Sequence, residues 1–251
     1  MSTAIVTGAS SGIGAATAIA LGVRGWNVAI GARRVDRLAE TAAAVEAAGG
    51  KAFAHPLDVC DEDSIETFFE AAEDAFGVAG ALVANAGMST PGAIHTVSPD
   101  AIRTEIETNL LGVILTARRA VDALLAEKAE GSVVFLSSDA VREARPRMST
   151  YAATKAGVEL FARSLAMELE GSGIRSMIVR IGPTITEFGA GWDMDEIVKL
   201  MPYWQSFGMQ RHDGYLSAEQ VADAIVTAVS APRGVHLDVI EIRPEAPRSR
   251  E

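Results

Sequence analysis

The sequence predicts an α/β fold: a doubly wound parallel sheet of seven strands with helices on both faces. Three observations predict it. Short β-like runs alternate with longer helical patterns along the chain, an order that gives parallel strands joined by right-handed crossovers. No Pro/Gly/Ser-rich linker or low-complexity block divides the 251 residues, so a single domain is expected. A hydrophobic content of 49% supplies a sizeable core.

The elements follow in order. Ala4–Val6 is the first strand, and Ile13–Val23 is small and apolar at helical spacing. Asn27–Ala32 is the second strand. Val35–Ala48 is a helix ended by Gly49-Gly50. Ala52–Leu57 is the third strand. Asp61–Phe76 is a helix with acidic residues in its first turn, where the helix dipole favours them. Ala81–Ala84 is the fourth strand. Ser98-Pro99-Asp100 opens a long helical pattern that runs to about Ala129. Val133–Leu136 is the fifth strand, and a helix from Thr150 to about Glu170 stops at Gly171-Ser172-Gly173. Ser176–Ile181 is the sixth strand. Ser217-Ala-Glu-Gln220 reads as a capping box opening the last helix. Val239–Ile242 closes the sheet.

The net charge of -11 argues against a nucleic acid or an anionic membrane as partner, because phosphates need a basic surface. Cys60 is the only cysteine, so no intrachain disulfide forms, which fits a reducing cytoplasm. It reads as a small core residue, with a reactive thiol as the lesser option. The start, Met1-Ser-Thr-Ala-Ile-Val-Thr-Gly, lacks the basic region and apolar length of a signal peptide. No segment reaches the ~18 apolar residues of a membrane span. His55, His95, His212 and His236 show no metal-ligand spacing, so no metal is expected.

Two motifs sit at strand ends, where sheets of this kind bind ligands. Thr7-Gly8-Ala9-Ser10-Ser11-Gly12-Ile13-Gly14 follows the first strand. Glycines there let the backbone approach a pyrophosphate, with the helix amides facing its charge. The spacing departs from G-x-G-x-x-G, and a tight left-handed connection accounts for it equally well. Tyr151-Ala-Ala-Thr-Lys155 places a phenol and an ammonium on one helix face. An ammonium, or a cationic cofactor ring, favours the phenolate and makes a tyrosine usable as acid and base near neutral pH. On its own the pair is common on exposed helices.

Thr-Gly-x-x-x-Gly-x-Gly, Asn85-Ala86-Gly87, a serine and Tyr-x-x-x-Lys stand here in order. With them the chain resembles the short-chain dehydrogenase/reductase family over roughly Thr3 to Val229. The resemblance implies a Rossmann-like, doubly wound single domain that binds a nicotinamide dinucleotide. It assigns Tyr151 as acid/base, Lys155 as the group that lowers its pKa and holds the nicotinamide ribose, and Ser138 as donor to the substrate oxygen. Ser137 is the neighbouring alternative, and strand alternation lets only one of the two face the cleft. Asn109, within Glu107-Thr-Asn-Leu-Leu-Gly112, would hold a water that relays protons to Lys155. An asparagine inside a helix also suits a kink. The cofactor residues implied are Gly8, Ser10, Ser11, Gly12, Ile13 and Gly14, then Asp58 and Val59, then Asn85, Ala86 and Gly87. Tyr151, Lys155, Gly182, Thr184 and Thr186 complete the set, with Thr186 at the nicotinamide carboxamide. Asp58 equally suits a capping turn. Two departures stand out: Ala84 replaces a second asparagine, and Ile181 replaces a proline.

The second strand ends Gly31-Ala32-Arg33-Arg34. An acidic residue at Ala32 would bind a free ribose and repel a 2′-phosphate. Arg33 and Arg34 instead offer a guanidinium fork, so NADP(H) is favoured over NAD(H). The alternative is that both arginines are solvated at a helix start, and Ser11 adds no second basic group.

Glu187 to about Tyr215 is expected to be a substrate lid, with Phe188, Trp192, Met194, Met201, Tyr203, Trp204, Phe207 and Met209. An adaptable apolar lid points to a hydrophobic substrate, although packing explains the same residues. Arg142, Arg145 and Arg147 border the cleft. They could recognise a substrate carboxylate or phosphate, but solvation or pairing with Glu143 and lid acids is the expectation. The leading expectation is an NADP(H)-dependent oxidoreductase acting on a small carbonyl/alcohol substrate, cytoplasmic, as a homodimer or homotetramer. The alternative is a non-catalytic NAD(P)-sensing binder, which would have no need of Ser138, Tyr151 and Lys155. A lyase or epimerase is disfavoured by the short chain.

Overall fold

The computed structural model describes residues 2–189, 192–207, 212 and 214–247. Seven strands form one sheet in the order β3-β2-β1-β4-β5-β6-β7, every neighbouring pair parallel. They are β1 (Thr3–Thr7), β2 (Asn27–Ala32), β3 (Lys51–Pro56), β4 (Ala81–Ala84), β5 (Gly131–Ser138), β6 (Ile174–Ile181) and β7 (Val239–Ile242). The central strands β1, β4 and β5 are buried at every residue, as strands covered on both faces must be. The predicted strands all stand, each within a few residues.

The helices are α1 (Gly12–Val23), α2 (Val35–Ala47), α3 (Glu62–Phe76), α4 (Pro99–Ile106), α5 (Gly112–Ala126), α6 (Ser149–Glu168), α7 (Met194–Ser206) and α8 (Ala218–Val229). On one face α1, α2 and α8 pack Leu21, Leu38 and Ile225 against Val6 and Ile30. On the other, α3, α5 and α6 pack Phe68, Val113 and Val158 against Ile5, Leu82 and Phe135. Caps fix several starts. Asp61 accepts from the Asp63 and Ser64 amides, Ser98 accepts from Ala101, and Ser217 and Gln220 form the expected capping box.

Two findings correct the sequence reading. The long helix after Ser98 is not uniform: Glu107–Leu111 is a π-helical turn joining α4 to α5. One extra residue per turn swings Asn109 into a fully buried position toward the Met88 backbone. Cys60 is exposed rather than in the core, with its thiol 3.4 Å from Thr108 Oγ1.

An ionic network fastens the carboxyl ends of β6 and β7 to α6. The buried Arg180 reaches both oxygens of Glu159 at 2.8 Å and Glu241 at 2.7 Å. Burial alone would raise the Glu159 carboxyl, but hydrogen bonds from Arg180 and Ser137 outweigh it and hold it low. The wall of the cleft is thereby rigid on its β6 side. Among the described residues no helix is long and apolar enough to cross a membrane.

Candidate active site

The sheet order reverses between β1 and β4, so the loops after these strands diverge and leave a crevice at their carboxyl ends. Two cavities open there. The first, of about 630 Å³, runs from Ala32, Arg33 and Arg34 past Gly8–Ile13 and Leu57–Val59 to Asn85–Met88. The second, of about 410 Å³, holds Ser138, Tyr151 and Lys155 together with Arg145, Met148, Ile185, Trp204 and Tyr215. Ile13, Asn85, Gly87, Thr186, Phe188 and Trp192 line both.

The glycine turn is shaped by close approach. Gly8 lies at φ +66 and Gly12 at φ +54, where a side chain would be strained. A Cβ on Gly14 would stand 2.5 Å from Gly8 O and 2.6 Å from Asn85 Nδ2. Gly14 therefore works by packing, since only hydrogen fits, and it does not line the cavity. Asn85 Nδ2 donates to Thr7 O at 2.8 Å and Gly8 O at 3.2 Å. Thr7 Oγ1 accepts from the Asn85 and Ala86 amides. Asn85 thus braces the turn, the task that Ala84 cannot share.

The two arginines after β2 differ. Arg34 donates to Ser10 Oγ at 3.2 Å, to Ser11 Oγ at 2.6 Å and to Glu187 at 3.2 Å. Arg37 adds a second ion pair to Glu187 at 2.7 Å. Arg33 is exposed at the cavity rim and makes no hydrogen bond or ion pair among the described residues. Asp58 lines the same cavity and also caps its own turn, accepting from the Cys60 amide at 3.0 Å. A nicotinamide dinucleotide fits this groove: backbone amides at the start of α1, an uncommitted guanidinium at Arg33 and no acidic side chain at Ala32 suit an anionic, phosphate-bearing ligand.

In the second cavity the two serines separate as alternation requires. Ser137 Oγ donates to Glu159 at 2.8 Å, away from the cleft chemistry. Ser138 stands beside the Tyr151 hydroxyl and also donates to Asp139 at 3.3 Å. Lys155, 5% exposed, donates to the Leu136 carbonyl at 2.9 Å, and its ammonium lies 5.8 Å from the Tyr151 ring centroid. Asn109 is committed to Met88: its Oδ1 accepts from the Met88 amide at 2.8 Å and its Nδ2 donates to the Met88 carbonyl at 2.7 Å. Gly182 and Thr184 line the second cavity and Thr186 lines both.

The electrostatics depart from the expected picture. Burial pushes the Tyr151 hydroxyl up to about 12, with Asp139 and Glu105 adding to the rise, while Ser138 and Arg145 pull the other way. Lys155 is not among the charges that lower it. Burial brings Lys155 itself down to about 8. Desolvation is the largest cause for each group and disfavours both charged forms.

Several site residues were not legible in the sequence. Asp139, 4% exposed, pairs with Arg145 at 2.6 Å. Arg147 pairs with Glu196 of the lid, as expected of that loop, whereas Arg142 pairs with Glu241. Of the lid residues, Phe188 packs edge-on to Tyr151 at 5.6 Å and to Trp192 at 6.1 Å. Phe188 is nonetheless exposed, as are Met194, Tyr203 and Phe207. Met209 lies outside the described residues. Glu105, 1% exposed on α4, has an unpartnered Oε1, and the nearby Ser89 Oγ is also unpartnered. Among the described residues no cluster could hold a metal ion.

Comparisons with known proteins agree with this geometry. A family model described as short chain dehydrogenase matches residues 2–196. The chain is 40% identical over 230 residues to a cis-4-hydroxycyclohexanecarboxylate dehydrogenase of Sinomonas cyclohexanicum, covering 90% of this chain and 88% of that one. It is 36% identical over 242 residues to a glycine betaine reductase of Emericella nidulans; this covers 96% of the present chain but spans only 18% of that relative. An alcohol dehydrogenase of Thermococcus sibiricus, solved with 5-hydroxy-NADP, superposes with a TM-score of 0.84 at 30% identity, covering both chains completely. Among other similar solved structures some hold NADP and others NAD.

Glu105 yields a stability prediction. Burial raises its carboxyl from the usual 4.5 to about 7, against the pull of Ser89 and the Thr90 backbone. The folded chain then favours the neutral acid. The residue costs no stability below its unfolded pKa, and its penalty grows as pH rises from about 4.5 to about 7. Glu105→Gln should match the parent in urea midpoint at the acid end and exceed it increasingly above. A difference that stays constant with pH would contradict this.

Proposed function

Because the chain belongs to the short-chain dehydrogenase family, we propose that it is an NADP(H)-dependent oxidoreductase interconverting a carbonyl and a secondary alcohol on a small, largely apolar substrate. The observation that carries this reading is the convergence of Ser138, Tyr151 and Lys155 on one cavity that shares a wall with the glycine-turn groove.

The backbone of Gly8–Ile13 and the first amides of α1 would hold the pyrophosphate, with Arg33 and Arg34 on the adenosine ribose. Asp58 and Val59 would flank the adenine. Ala86, Gly87, Lys155, Gly182, Thr184 and Thr186 would border the nicotinamide half. When bound, the dinucleotide supplies or accepts the hydride, and its oxidised ring is cationic. The remaining work is done by the chain. Ser138 donates a hydrogen bond to the substrate oxygen. Tyr151 gives its proton to that oxygen in reduction and takes one from the alcohol in oxidation. A phenol held at about 12 is protonated at neutral pH, the form that reduction needs. In oxidation the cationic ring of a bound dinucleotide would stabilise the phenolate, adding to the pull of Ser138 and Arg145. Lys155 then passes the proton outward. The Asn109 side chain is engaged with Met88 and Thr154, so it holds the Met88 segment in place beside Lys155.

Phe188, Trp192 and Trp204 give the second cavity an apolar wall, which suits an apolar substrate. Ala32 and the uncommitted Arg33 support NADP(H) over NAD(H). Exposed Leu111, Leu125, Leu160 and Met167 on α4–α6 and their junction support a homodimer or homotetramer through these helices. The acidic charge and the lone cysteine suit a cytoplasmic protein.

Two substitutions test the reading. Tyr151→Phe should lower kcat by roughly 10³-fold or more while leaving NADPH affinity nearly unchanged by fluorescence titration. Retained turnover would refute the acid/base role. Arg33→Ala should weaken NADPH by about tenfold or more, on the scale of a lost charge-assisted contact, and NADH far less. Equal losses for the two cofactors would refute recognition of the 2′-phosphate.

A further inference from the structure

The second cavity is apolar along most of its wall, with Met148, Ile185, Phe188, Trp192 and Trp204 around the tyrosine. Arg145 interrupts it. The side chain is only 11% exposed, and its guanidinium carbon lies 5.1 Å from the Trp204 ring centroid. Behind it stands Asp139, the residue after Ser138, whose two oxygens both take Nη2 at 2.6 Å.

That pairing leaves most of the guanidinium unused. A guanidinium carries five N–H donors, and one nitrogen serves both carboxylate oxygens. Arg145 Nε is buried with no partner. Nη1 makes no hydrogen bond or ion pair among the described residues, whereas Arg142 and Arg147 in the same loop are paired with Glu241 and Glu196. Stacking on Trp204 fixes the plane of the group, and Asp139 fixes its position. Pairing with Asp139 and the pull on the Tyr151 hydroxyl both leave the Nη1 donors of Arg145 unengaged.

We propose that Arg145 is a specificity-determining residue that binds a carboxylate on the substrate, so that the substrate class is a small hydrophobic oxo acid or hydroxy acid. The proposal rests on the oxidoreductase reading above and deepens it. The apolar frame of the substrate occupies the space between Phe188, Trp192 and Trp204. Its carboxylate takes the unpaired Nη1 of Arg145, and its carbonyl oxygen reaches Ser138 and Tyr151. Asp139 keeps the empty site near electrical neutrality, so the guanidinium is stored in a dry wall without an uncompensated charge. It also directs the ligand, because a second carboxylate is repelled from the Nη2 side and accepted on the other.

The test uses steady-state reduction with NADPH of oxo acids on cyclohexyl and phenyl frames, each paired with its primary amide, alongside cyclohexanone and acetophenone. The parent should favour the acid over the amide by roughly 10²-fold in kcat/KM, the scale of a desolvated charge-assisted contact. In Arg145→Met that ratio should collapse toward one. Because this change leaves Asp139 buried without a counter-charge, the double variant Asp139→Asn/Arg145→Met is measured beside it. A purely structural role would lower both members of a pair together and preserve the ratio, which would overturn the proposal. A parent that reduces amide and acid equally would overturn it as well, whatever the variants do. A parent that reduces neither the pairs nor the unsubstituted ketones would instead refute the oxidoreductase reading itself.

Discussion

A buried ammonium sets the terms for this site. Lys155 is held at the carboxyl end of β5 by the Leu136 carbonyl, where burial weakens its hold on its own proton. Keeping it there requires neighbours that are fixed before any ligand arrives. Asn109 locks the Met88 segment from the π-turn side, and a Cβ on Gly87 would lie 3.3 Å from Asn109 Oδ1 and 3.6 Å from Lys155 Nζ. The Arg180–Glu159 pair ties α6, which carries both Tyr151 and Lys155, to β6. The same dryness that lowers Lys155 raises Tyr151, so the phenol rests neutral beside an ammonium that holds its proton only weakly.

The two cavities are joined through the lid. Glu187, at its start, is paired with Arg34 and Arg37 beside the glycine turn. Glu196, on α7, is paired with Arg147 at the border of the second cavity. Between these anchors Phe188 and Trp192 face both spaces. The segment between the anchors is thus tethered to the glycine-turn side by one acid and to the loop after β5 by another. The Glu187 pairs are exposed and contribute little to stability, whereas the Arg147–Glu196 pair is largely buried.

Most of the fold was legible because its signals are local and repeated. Alternating apolar runs, the Ser98 and Ser217 caps and the glycines after β1 each specify one element, and together they leave one topology. Ser138, Tyr151 and Lys155 were expected from the family resemblance, and the structure brings them to one cavity. The rest depends on contacts far apart in sequence or on burial. The π-turn comes from the fit of Asn109 to Met88, twenty-one positions away, and helical periodicity carries no mark of it. Cys60 was read by residue type alone, and its loop turns it outward. The Asp139–Arg145–Trp204 stack needs the lid folded over the loop after β5. The rise in the Tyr151 pKa could not be foreseen from a Tyr-x-x-x-Lys spacing, because that spacing reports a neighbour and not how much water has been removed.

The central claim is that Tyr151 is a protonated, desolvated phenol whose ionisation is governed by the charge beside it. With three tyrosines in the chain, ¹³Cζ-tyrosine NMR can follow it individually. The account predicts that Tyr151 in the free protein stays protonated to well above the ordinary phenol range, near 12, and that saturation with NADP⁺ moves its titration down. A Tyr151 signal that titrates like a solvated phenol in the free protein, or that NADP⁺ leaves unmoved, would contradict it.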